Sequence, residues 1–304
     1  MQKRKIGIVA AIVLAVGAVV LVVATKSKTR LRLVSRKSEV VVVRDVVYIA
    51  GSTHPKHKLD VVAPKKIEGA PVVHFVHGGS WTKEDKDYYA LLTGLYDSVG
   101  VALAQRGIVT VIQSYRLAPE VGIDGILDDV MNALRWTQAH AAEHGGDPKR
   151  IFLMGHSAGG HIVALVGADE SLHTKRGMDP RAIRGTIPMS AVWDVPAMAD
   201  EHGDNFNAKV TRAVFGDDRS GWTARSPITL LHRGMSPFFV IVGERDYGYM
   251  IPQAHRARDR LNELGENPRF LVAPGNDHRG MVLAFGATYD NLTDPIVEFV
   301  TTIR

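Results

Sequence analysis

Gly155-His156-Ser157-Ala158-Gly159 places a serine between glycines two residues to either side, just after the short apolar run Ile151–Met154. A serine raised on a sharp strand-to-helix turn needs this spacing, because the crowded turn leaves no room for side chains at those two positions. A hydroxyl becomes a nucleophile only beside a base, and the base needs an orienting acid. Asp246, at the end of Val240-Ile-Val-Gly-Glu-Arg-Asp246, and His278, in a glycine-containing loop, follow Ser157 in the order serine, acid, histidine. Glu244 competes with Asp246 for the acid role, and Asp277 is read as shaping the histidine loop. Upstream, His77-Gly78-Gly79-Ser80-Trp81 offers backbone amides of Gly79 and Ser80 that, with that of Ala158, can bind an oxyanion. The chemistry of such a set is acyl transfer through a covalent serine intermediate.

These residues need strands that end where they begin. From Val40 onward, β-branched runs alternate with amphipathic stretches, the pattern of parallel strands joined by helical crossovers. Strands are predicted at 40–49, 58–63, 72–77, 108–114, 151–154, 183–189, 238–242 and 269–273. Helices are predicted at 88–106, 123–144, 158–168, 251–264 and 292–303, with Gly107 and Gly145-Gly146 as stops. The less regular stretch 195–235 reads as a partial cap. The fold class is α/β, a mostly parallel central sheet flanked by helices with a small cap insertion, preceded by one N-terminal hydrophobic helix. The catalytic domain is placed at 38–304.

The chain has 304 residues, 45% hydrophobic and 23% charged, enough for a large core. Its formal charge of +5 is unevenly spread: residues 1–37 hold nine basic and no acidic residues, leaving 28 basic against 32 acidic, a net of −4, in the remainder. A basic tail, not a basic fold, sets the overall charge, so no nucleic-acid surface is expected. The absence of cysteine excludes disulfides, thiolate nucleophiles and cysteine-based zinc sites. Within the tail, Ile6–Ala24 is nineteen uncharged residues flanked by Lys3, Arg4 and Lys5 on one side and Lys26 and Lys28 on the other. As a helix it reaches about 28 Å, nearly the hydrocarbon thickness, which favours a single-pass membrane anchor over residues 1–37. The alternatives are a signal peptide cut near Val22-Val23-Ala24, followed by export, and a buried core helix. Both flanks are basic, so charge does not set the membrane side.

The remaining candidates have ordinary explanations. His140 and His144, near a helix end, complement the helix dipole better than they bind metal. His77 and His156 are expected to be structural, and His161 and His255 to lie on helix surfaces. Trp81, Trp193, Phe206, Phe215 and Trp222 either line a substrate pocket or pack in the core, and core is the commoner fate. With no phosphate loop, dinucleotide fingerprint or metal motif, no cofactor is expected.

The H-G-G-x-W loop, the G-x-S-x-G segment from Gly145 to His161, and Ser114-Tyr-Arg-Leu-Ala-Pro-Glu120 together resemble the α/β-hydrolase esterase and lipase superfamily. The similar branch includes hormone-sensitive-lipase-like esterases, kynurenine formamidases and prenylcysteine methylesterases. The resemblance covers roughly residues 58–300. It implies a serine carboxylester hydrolase with Ser157 as nucleophile, His278 as base, Asp246 as orienting acid, and Gly79, Ser80 and Ala158 as oxyanion donors, acting on a small-molecule ester. Ser80 stands where many relatives carry a third glycine and keeps the backbone N–H. An amidase of the formamidase type and a catalytically silent binding protein remain the alternatives.

Overall fold

The computed structural model describes residues 40–88 and 95–303. The expected N-terminal helix over Ile6–Ala24 lies outside the described residues. Among those described, no helix is long and apolar enough to cross a membrane.

Eight strands form one sheet: β1 (Val40–Val47), β2 (Lys58–Pro64), β3 (Ala70–Val76), β4 (Val109–Gln113), β5 (Gly146–His156), β6 (Ile183–Met189), β7 (Phe239–Arg245) and β8 (Arg269–Asp277). Their spatial order is β1-β2-β4-β3-β5-β6-β7-β8. Only β2 runs against its neighbours β1 and β4; all other pairings are parallel. Every residue of β3 and β4 is buried, as expected of parallel strands covered on both faces. Alternate residues feed separate cores: Val72, Val76, Ile151 and Leu153 face one side, and Val73, Phe75, Phe152 and Met154 the other.

On the first face pack α2 (Ile123–His140), through Ile126, Val130, Met131 and Leu134, and α3 (Ala158–Ala168). Helix α6 (Met250–Glu263) joins them through Ala254, Ala257 and Leu261. On the second face lie α1 (Leu95–Ala104), through Val99 and Leu103, and α7 (Thr293–Thr302), through Ile296, Phe299 and Val300. A three-layer α/β fold results. Truncating a fully buried side chain such as Leu153 to Ala should cost about 2–5 kcal/mol.

Sequence periodicity placed these elements to within a few residues. The 123–144 prediction splits into α2 and a 3₁₀ turn at Ala141–His144, stopped by Gly145 at φ 80°. Only Gly fits there, because a Cβ would sit 2.3 Å from the Ile67 carbonyl oxygen. Helix α1 is described over Leu95–Ala104, and residues 89–94 of the 88–106 prediction lie outside the described residues. Strand β5 begins five residues before its apolar run, at Gly146, which pairs with Ala70 of β3 ahead of a register shift. Between β6 and β7 the irregular stretch folds into short helices that include α4 (Val195–Glu201) and α5 (Arg219–Ala224).

Candidate active site

The residues singled out for chemistry directly follow the last residues of parallel strands. His77 comes after β3, Ser157 after β5, Asp246 after β7 and His278 after β8. Parallel strands bring their C-terminal ends to one edge, so residues about 120 apart in sequence meet there. The chain leaves β3 to one side for β4 and returns to its other side for β5, and at such a switch point the crevice between diverging connections is the usual binding place.

Ser157 adopts φ 56° and ψ −119°, a left-handed conformation costly for a residue with a side chain. The turn around it is closed on both sides. A Cβ on Gly155 would lie 2.4 Å from the Gly159 carbonyl oxygen, and one on Gly159 would lie 2.1 Å from that of Val76. Ser157 N donates to the Met189 carbonyl at 2.9 Å, which ties the turn to β6.

Three side chains form one hydrogen-bonded line. His278 Nδ1 lies 2.8 Å from Asp246 Oδ1, and His278 Nε2 lies 2.9 Å from Ser157 Oγ. A carboxylate accepts only, so Nδ1 carries the proton and Nε2 is left to accept from the serine hydroxyl. The Asp246 side chain is fully buried. Burial alone would raise its pKa, but donation from His278, Ser190 Oγ and Tyr247 N outweighs this and holds the carboxyl below its ordinary value. Glu244 points elsewhere, accepting from Gly275 N at 2.7 Å. Asp277 caps its own loop, accepting from Gly280 N at 2.7 Å.

Opposite the serine, the loop after β3 turns through three successive left-handed residues, Gly79 (φ 100°), Ser80 (φ 52°) and Trp81 (φ 59°). Turns of this kind gather neighbouring amides into a concavity suited to an anion. At Gly79 a Cβ would lie 2.1 Å from the Lys83 carbonyl oxygen, so the position excludes any side chain. Ala158 is the first residue of α3, where a backbone N–H has no partner within the helix and the helix dipole favours negative charge.

Several supporting residues were not foreseen. Ser190, at φ 47° after β6, donates its buried hydroxyl to Asp246 Oδ2. Tyr115 stacks on His77 and donates to the carbonyls of His77 and Gly78. The Tyr96 hydroxyl donates to Glu84 Oε2 at 2.7 Å and accepts from Gly78 N at 3.2 Å. Of these, only Tyr115 had a signal in the sequence, in the 114–120 segment.

The histidines divide clearly. His156 donates from Nε2 to the His278 carbonyl at 2.8 Å; burial and the facing His278 push its pKa down to about 3, so it stays neutral. His161 is not on a helix surface as expected: it is fully buried and donates from Nε2 to the Arg225 carbonyl at 2.8 Å. Helix α3 is covered by the insertion before β7, so no side of it is left to water. His255 is half-buried against Phe270, and His140 stacks on Trp136. Trp81, Trp193, Phe215 and Trp222 are core residues, and Phe206 is half-buried. Phe215 meets Trp81 and His161 edge-on, so the insertion packs directly on the H-G-G-x-W loop.

The sequence model of the BD-FAE family matches residues 59–261, a span that includes the β3 loop, Ser157 and Asp246. The chain belongs to the BD-FAE family. A probable isoprenylcysteine alpha-carbonyl methylesterase of Oryza sativa is 34% identical over 257 residues, 80% of this chain and 59% of the relative. Esterase LipQ of Mycobacterium tuberculosis is 30% identical over 245 residues, 77% of this chain and 56% of the relative. The chain thus spans little more than half the length of these relatives. Among solved structures, esterase B of Lactobacillus rhamnosis superposes with a TM-score of 0.71 at 20% identity, covering 94% of each chain. A truncated carbohydrate esterase from gut microbiota gives 0.72 at 19%, covering 86% of this chain and 95% of the other. At such identities these structures establish the α/β-hydrolase fold of this BD-FAE member and no more.

Proposed function

We propose that this BD-FAE family member is a serine carboxylester hydrolase. The observation that carries the reading is the continuous line from Ser157 Oγ through His278 to buried Asp246, at 2.9 and 2.8 Å. Ser157 attacks the ester carbonyl as His278 Nε2 takes its proton, and Asp246 holds the imidazole in the tautomer that leaves Nε2 free. The amides of Gly79, Ser80 and Ala158 bind the oxyanion. His278 then gives the proton to the departing alcohol, and water, activated by the same nitrogen, hydrolyses the acyl-enzyme. The naming of its relatives as esterases and methylesterases supports the same reaction class. Short-chain acyl esters and prenylcysteine methyl esters are therefore the first substrates to try, with N-formylkynurenine as the amide comparison.

The test is covalent labelling by a fluorophosphonate together with hydrolysis of p-nitrophenyl acetate. One adduct at Ser157 is expected, and Ser157→Ala should abolish it and lower kcat by about 10⁴-fold or more. Labelling that survives the substitution overturns the assignment.

We further propose that residues 1–37 tether the hydrolase to a membrane, on the strength of the uncharged run Ile6–Ala24 and its basic flanks. A chain beginning at Ser38 should keep its kcat on soluble esters and lose activity chiefly on esters dissolved in liposomes. Equal activity of both chains on liposomal esters removes the tether.

A further inference from the structure

Four rings lead away from His278. The Tyr247 ring lies on the His278 ring, centroids 4.4 Å apart and planes 30° from parallel. Tyr249 follows, 6.1 Å from Tyr247 and within 10° of parallel. His202 stands edge-on to Tyr249 at 5.1 Å and lies against Phe206 at 4.0 Å. Two of these rings come from the loop after β7 and two from the insertion after β6. Tyr247 is 51% exposed, while its backbone N–H is fixed on Asp246 Oδ1 at 2.7 Å. The carboxylate that orients the base therefore also sets the place of a half-exposed aromatic ring. His202 is likewise held, donating from Nδ1 to the Met198 carbonyl at 2.8 Å.

The side of the site on which this row lies decides its use. The amides of Gly79 and Ser80 follow β3, on one side of β5, whereas Tyr247 follows β7, on the other side and beyond β6. An ester carbonyl held by those amides over Ser157 must turn its leaving oxygen toward His278 Nε2, the atom that returns the proton. The alcohol part then extends past His278 onto Tyr247.

We propose that Tyr247, Tyr249, His202 and Phe206 form the leaving-group subsite, and that it takes alcohols carrying a flat aromatic ring. This rests on the serine-hydrolase reading of Ser157, His278 and Asp246. Tyr247 has ring neighbours in both His278 and Tyr249, yet half of it is exposed, and an incoming ring can meet that exposed part offset or edge-on; pairs of this kind add attraction beyond the apolar area they bury. A saturated ring of equal size fills the same space without that contribution.

Three acetates with a common acyl group test it: ethyl, cyclohexylmethyl and benzyl acetate, with the full chain and the variants Tyr247→Phe and Tyr247→Ala. Benzyl acetate should exceed both others in kcat/KM, by about tenfold over ethyl acetate, with the difference mainly in KM. Tyr247→Ala should abolish that ratio and Tyr247→Phe should keep it. Benzyl alcohol should also bind the Ser157→Ala chain, seen by saturation-transfer NMR, and should lose binding when Tyr247→Ala is added. A ratio that survives Tyr247→Ala overturns the subsite, as does an equal loss on all three esters, which would make Tyr247 only a support for His278. Benzyl alcohol binding without hydrolysis of any ester, or hydrolysis that persists in Ser157→Ala, instead sinks the serine-hydrolase reading.

Discussion

Tyr115 lies flat on His77, ring centroids 4.2 Å apart and planes within 10°, and donates its hydroxyl to the His77 carbonyl at 3.1 Å. A fully buried residue two positions past the end of β4 thus anchors the loop that carries the Gly79 and Ser80 amides. Tyr115→Phe keeps the stack but leaves the His77 carbonyl without its hydroxyl donor, while the Gly78 carbonyl still accepts from His77 Nδ1 at 2.8 Å. Stability should fall by about 1–3 kcal/mol. Losing a whole oxyanion donor costs about 10²–10³ in kcat, so a loop merely loosened should cost less, about tenfold, with little change in KM. Steady-state kinetics on p-nitrophenyl acetate and thermal melts measure both effects. An unchanged kcat would mean that other contacts set the loop.

The acid role separates two carboxylates two residues apart. Asp246→Asn should lower kcat by about 10³–10⁴, because an amide no longer demands the Nδ1 proton of His278. Glu244→Gln should cost less than threefold by the same assay, roughly what an exposed group outside the hydrogen-bonded line contributes. The reverse ranking would transfer the role to Glu244.

Crowding at the nucleophile turn predicts a stability effect. Gly159→Ala drives a Cβ to 2.1 Å from the Val76 carbonyl oxygen and 2.5 Å from that of His77. Neither backbone atom can move without displacing the end of β3 or the loop that leaves it, so the loss should be about 3 kcal/mol. Gly203→Ala, with nothing within 4 Å of the new atom, is the comparison and should stay within about 0.5 kcal/mol. Urea unfolding measures the pair, and equal midpoints would contradict the geometry.

Acid should weaken the fold before the carboxylates titrate. Burial pushes His74, His77 and His161 down to about 4 and His156, also facing His278, to about 3. Unfolded, these histidines would titrate near 6.5, so between about pH 6.5 and 4 the unfolded chain binds protons that the folded chain does not. Stability is then highest above pH 6.5 and declines as pH falls through that window. Urea midpoints at pH 7.5, 6.5, 5.5 and 4.5 should drop progressively below 6.5. A flat profile down to pH 4.5 would show that the four rings are hydrated.

The turn at Ser157, the strand ends and the three side chains that meet there were legible in the sequence because each is local. Glycines flank Ser157 within five residues, and an apolar run ends directly before His77 and at Met154, just before the Gly155-His156-Ser157 turn. Parallel topology does the rest, since the α/β alternation already commits the strand ends to one edge. What the sequence left open was decided by contacts across long separations. Asp246 rather than Glu244 meets His278 because, where β7 ends, Asp246 turns inward to Ser190, 56 residues earlier, while Glu244 turns to Gly275. His161 is buried because the insertion folds back 64 residues on, to put the Arg225 carbonyl over it. Tyr247 meets His278 because neighbouring strands β7 and β8 end side by side. Periodicity records which face of an element is apolar, but it carries no record of which element will cover that face. That choice belongs to the tertiary structure alone.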